Sequence, residues 1–186
     1  MITDAVAIFF QEHDEVLARS QYRDDIAKAH EILKALFKIA GIRATKEIKR
    51  IHASRTQGTH LDSADALLFA RLLMMGIDQE ATSYKTILDC MTSKELAMVH
   101  WCTTQLEVWI RHTSGLGADR VATKYAQIGE EARLSFHEKH GYYPEHSPLP
   151  EQPLSLSEAR SYLKRLGKDI GQPSLFDTTL GDDDDN

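Results

Sequence analysis

Residues 33–51 read LKALFKIAGIRATKEIKRI, and the fold turns on what the glycine in the middle does. Ahead of it, Leu33, Leu36, Phe37 and Ala40 recur at intervals of three and four, the period of a helix with one buried face. Gly41 stands where a left-handed helix stop belongs, so the pattern predicts a helix over 24–40 that ends there. Thr45 then reads as the N-cap of a short basic helix reaching Ser54. It sets Ile48 and Ile51 inward and Lys46, Lys49 and Arg50 outward.

Outward from that stretch the helical period continues in both directions. Val6, Phe9, Phe10, His13, Val16 and Leu17 mark a helix over 3–18. "ALLFARLLMM" lies in a helix over 62–76 that is apolar on nearly every side and therefore expected at the centre. A further helix covers 79–90. Thr92, Ser93, Lys94 and Glu95 spell a capping box that opens a helix over 92–111, with Trp101 and Trp109 as core candidates. A helix over 118–140 ends at Gly141. Ser155 and Glu158 form a second capping pair, opening a short last helix. No alternating strand pattern of useful length occurs. The expectation is an all-α fold: a helical domain over 1–142, a proline-rich linker over 143–156, a short helix over 157–167 and an acidic tail over 168–186.

At 186 residues the chain is long enough for one domain with a core. It lacks a membrane-length apolar run, and its start lacks the pattern of a secretory signal, so a cytoplasmic location is expected with no membrane partner. Cys90 and Cys102 make no zinc spacing and read as reduced, half-buried thiols. Of the net charge of −6, the tail supplies most: Asp177 and Asp182 to Asp185 leave the remainder at −1. Cations concentrate in 41–60, where Arg43, Lys46, Lys49, Arg50 and Arg55 meet one acid, Glu47. These five residues are the candidate nucleic-acid contacts, for DNA or RNA, against the plainer reading of a solvated face.

Residues 33–51 also invite a helix-turn-helix reading, with Leu36, Ala40 and Ile42 at suitable inward positions. The second helix misses by one step: the expected inward positions fall on Glu47 and Arg50, while the apolar residues are Ile48 and Ile51. Arg55-Thr-Gln-Gly-Thr-His60 has an arginine–histidine spacing that resembles the catalytic motif of HEPN-type ribonucleases, an all-α family. That resemblance implies Arg55 and His60 together near the start of a helix as an acid–base pair. Gly58 interrupts the motif here, and Thr56 stands where the family has a polar Asn, Asp or His. The reading preferred over it has no catalytic residue.

His137, His140 and His146 gather about one helix end, but histidines there also suit the helix dipole, and no metal site is assigned. "SGLGADR" at 114–120 follows a helix rather than a strand, so it reads as a turn and not a dinucleotide cradle. No cofactor is expected.

Gln172-Pro173-Ser174-Leu175-Phe176 is the remaining signal, two adjacent apolar side chains inside an acidic tail. It resembles the pentapeptide with which bacterial replication and repair proteins bind the sliding clamp. The resemblance implies that Leu175 and Phe176 fill an apolar pocket of the clamp, with Gln172 and Ser174 as polar contacts. Pro173 departs from the usual aliphatic second residue, and it restricts the free peptide towards an extended form. The functional expectation is therefore a bacterial accessory protein of DNA replication or repair, of a kind borne on mobile elements. Its tail docks on the sliding clamp and its basic helix meets nucleic acid. The alternatives are the HEPN-like ribonuclease and a helical regulatory protein without a clamp contact.

Overall fold

The computed structural model describes residues 18–56, 85, 87–113, 117–148 and 155–171, with backbone alone at 45, 48, 49 and 51–56. Four α-helices account for most of them: α1 (Arg23–Thr56), α2 (Ser93–Arg111), α3 (Ala118–His140) and α4 (Leu156–Asp169). A 3-10 turn, Pro144–His146, lies between α3 and α4, and no strand occurs among the described residues. The all-α expectation holds. The expected helices over 3–18 and 62–76 lie outside the described residues, apart from Ala18 in a turn; of the helix over 79–90, Lys85 and residues 87–89 are helical.

The main correction concerns Gly41, which does not end a helix. α1 runs unbroken through it for 34 residues, so the turn required by a helix-turn-helix is absent, and Thr45 lies in the helix interior instead of capping a new one. An interior glycine costs about 1 kcal/mol relative to alanine, but that is small beside the burial on either side of it. Ile39, Ala40 and Ala44 are fully buried, and burying a side chain the size of Ile39 contributes about 1.5–3 kcal/mol. Beyond the glycine, Ala44 is buried and Arg43 bonds to the buried Glu95, so both halves are tied to the rest of the fold. Asp24 and Asp25 in the first turn complement the positive end of the helix dipole.

α2 begins as its sequence announces. Thr92 accepts a hydrogen bond from the Glu95 backbone N–H at 3.3 Å, and the Glu95 carboxylate accepts one from the Thr92 N–H at 2.9 Å. α3 returns antiparallel along it, pairing Ser93 with His140 at one end and His100 and Thr103 with Gly129 further along. Gly129 permits this close approach, since a Cβ there would stand 2.3 Å from Thr103 Oγ1. Gly141, at φ 75°, stops α3 and donates to the His137 carbonyl at 2.8 Å, as expected. Leu96, Val99, Cys102, Leu106 and Ile110 line the inner face of α2, while Trp101 and Trp109 pack at its rim.

α4 packs on α1, and its Ala159 and Leu163 are fully buried in the core shared by the other three helices. Ser155 caps it, accepting from the Glu158 N–H at 3.2 Å. Gly171, at φ 73°, closes its C-terminal end. No helix among the described residues is long and apolar enough to cross a membrane.

Candidate functional site

α1 gives its basic residues different surroundings. Arg43 points into the protein: its guanidinium donates to both oxygens of the fully buried Glu95, Nη2 to Oε1 at 2.9 Å and Nη1 to Oε2 at 2.5 Å. With the Thr92 N–H, that carboxylate collects three donors, which is what allows it to be charged inside a core. The hydrogen bond to Glu95 raises the Arg43 pKa above its ordinary value. Lys46 and Arg50, three and seven residues further along the helix, are exposed, with Arg50 Nε donating to Glu47 Oε2 at 2.8 Å. The side chains of Lys49 and Arg55 lie outside the described residues. The sequence-predicted nucleic-acid set is therefore split, and Arg43 is tied up in an internal clamp.

Around that clamp the segment 89–95 is pinned from three helices. Lys139 Nζ at the end of α3 donates to the carbonyls of Met91 at 2.7 Å and Asp89 at 3.1 Å, and burial lowers its pKa. These carbonyls follow a helical turn, where the ladder supplies no partner. Tyr162 of α4 approaches from the other side, with Lys94 Nζ 4.6 Å from its ring centroid; burial raises its pKa. The Cys90 thiol is pushed up to about 11, chiefly by burial, so it stays protonated at neutral pH; Cys102 is raised further for the same reason. Both cysteines are free, though Cys102 is fully buried. Ser93 Oγ and His140 Nε2 lie 2.5 Å apart at an exposed edge, and among the described residues no carboxylate pairs with that imidazole.

A second polar cluster joins α2, α3 and the 3-10 turn. Arg133 Nε donates to Glu145 Oε1 at 2.7 Å, and its guanidinium carbon sits 3.7 Å from the Tyr143 ring centroid. His137 stacks on Tyr143 at 4.4 Å, whereas His140 packs on Phe136 at 4.6 Å and His146 is exposed. These three histidines thus have separate neighbours, and among the described residues no three metal-capable side chains converge. Arg55 falls in the last turn of α1, whereas the ribonuclease resemblance implies the start of a helix; His60 lies outside the described residues. Gly117, at φ 90°, precedes α3, which has no side-chain cap.

The family profile of the DinD C-terminal domain matches residues 13–156, more than three quarters of the chain. The chain belongs to the DinD C-terminal domain family. Searches of curated proteins and of solved structures return no match. α1, α2 and α3 fall inside the family domain, as do both polar clusters except Tyr162. α4 starts at the last matched residue, so nearly all of it and the tail beyond are carried outside that domain. Gln172, Ser174, Leu175 and Phe176 lie beyond the match and outside the described residues.

Sequence reasoning overlooked the exposed lysines that α1 carries before Gly41, and those of α4. Their signal was present: Lys34 and Lys38 are four apart, as are Arg160, Lys164 and Lys168.

Proposed function

We propose that the protein acts in the response to DNA damage, as a bacterial accessory factor of replication or repair that docks on the sliding clamp through Gln172–Phe176. The observation that carries this reading is membership of the DinD family, DNA-damage-inducible protein D, over residues 13–156. The clamp contact adds the sequence resemblance of 172–176 and its position just after α4. A short peptide with two adjacent apolar anchors binds weakly and releases readily, while its tether keeps the attached domain at high local concentration on the clamp. Contact between the domain and nucleic acid completes the proposal.

Pull-down of the full chain on purified bacterial sliding clamp tests it. Wild type is retained, and the Leu175→Ala/Phe176→Ala variant loses retention by tenfold or more. Absence of wild-type retention, or equal retention of the two, would sink the clamp reading.

A further inference from the structure

We propose that the exposed face of α1, bordered by α4, is a binding surface for the phosphate backbone of duplex DNA. This rests on the reading of the chain as a DNA-associated protein and names a surface for it. Because α1 continues through Gly41, lysines before and after the glycine belong to one helix. Lys28, Lys34, Lys38 and Lys46 are all exposed, while Ile26, Leu33, Phe37, Ala40 and Ala44 on the reverse face are buried. At 100° per residue the four lysines fall within an arc of about 120°, and from Lys28 to Lys46 it extends about 27 Å at 1.5 Å per residue.

α4 packs on α1 beside that face. Arg160 Nη2 reaches Glu31 Oε2 at 4.0 Å, and Glu31 lies among the lysines of α1. Tyr162, on the opposite flank of α4, faces Lys94. The flank towards that face is therefore the one bearing Arg160, and Lys164 and Lys168 follow it at four and eight residues, both exposed. None of the six lysines makes an ion pair among the described residues, and Arg160 offsets the acid set between them. A chain with net charge −6 has thus gathered across two packed helices six cations that are unpaired among the described residues.

Duplex DNA is the occupant that this chemistry fits. It presents a negative charge about every 1.7 Å of axis, and exposed lysines bind it by releasing its counterions. Single-stranded sites add aromatic platforms for the bases. This face presents no exposed aromatic: between the lysines stand Glu31, the half-buried Ile42 and the buried Ala35.

Fluorescence anisotropy of the full chain on a labelled duplex of about 20 base pairs tests the proposal. Six phosphate contacts give a slope of log affinity against log salt near −5, or about a thousandfold loss between 50 and 200 mM salt. Lys34→Glu/Lys38→Glu and Lys164→Glu/Lys168→Glu each weaken binding by tenfold or more and flatten the slope by about 2, while Arg120→Glu on α3 leaves both unchanged. All three variants keep the wild-type circular dichroism and retention on the clamp, so this surface and the tail fail or succeed separately. Wild-type failure to bind at 50 mM salt, unchanged binding in both lysine pairs, or preference for a single strand would overturn the proposal. Binding that appears only after removal of residues 177–186 would make the acidic tail the occupant, and would overturn it too.

Discussion

Arg43 and Lys46 are three residues apart on the same helix, and they have opposite fates. Arg43 turns inward to a carboxylate 52 residues away in sequence and is held by two hydrogen bonds. Lys46 stands in water with no ion pair among the described residues. A cluster of cations in sequence is thus not a cluster on the surface. What a cation can do for a ligand depends on whether a buried acid has already claimed it. The claimed cation should govern stability and the exposed ones binding.

The strongest way to break that division is Glu95→Ala. It strands the half-buried Arg43 and removes the acceptor of the Thr92 N–H, so the expected loss is about 2–3 kcal/mol in urea unfolding. DNA affinity of the molecules that remain folded should stay at the wild-type value. Gly129→Ala is the matching control in the α2–α3 pair. The added methyl meets Thr103 Oγ1, and a destabilisation of about 1–3 kcal/mol is expected, with partial recovery when combined with Thr103→Ala. If that variant also altered DNA affinity, stability loss alone would account for any effect at Glu95.

Ser155→Ala removes the cap of α4, at an expected cost of about 1 kcal/mol. Hydrogen exchange should speed up in the first turn of α4, with a weaker grip on DNA if its cationic row belongs to the surface. The smallest effect concerns Glu131, a contrasting acid. Its Oε2 is buried without a hydrogen-bond partner among the described residues, and burial raises its pKa. A carboxyl with a raised folded pKa favours the folded state below its unfolded pKa, and that contribution is lost as pH rises through the folded value. Glu131→Gln should therefore raise Tm by about 1–2 °C at pH 7, and the gain should vanish as pH falls into the carboxylate range.

Legibility in the sequence followed the range of the interactions. The capping box at Thr92–Glu95 and the stop at Gly141 were readable because each is settled by residues within one turn. Gly41 was misread because a glycine stop and a glycine inside a helix look alike locally; what decides is tertiary burial on both sides of it, at Ala40 and Ala44. The fate of Arg43 was hidden for a related reason, since nothing near it names Glu95. The cationic row of α4 was visible in its spacing, but which way it faces follows only from the contacts of Arg160 and Tyr162.

The division between the claimed and the exposed cations is tested most directly by measuring duplex affinity and urea stability together on Arg43→Ala and Lys34→Glu/Lys38→Glu. The account predicts a crossed result: Arg43→Ala loses stability and, at concentrations where it is folded, binds DNA like wild type, while the lysine pair keeps its stability and loses affinity tenfold or more. Equal loss of affinity in both variants, or a lysine pair that binds as wild type does, would contradict it.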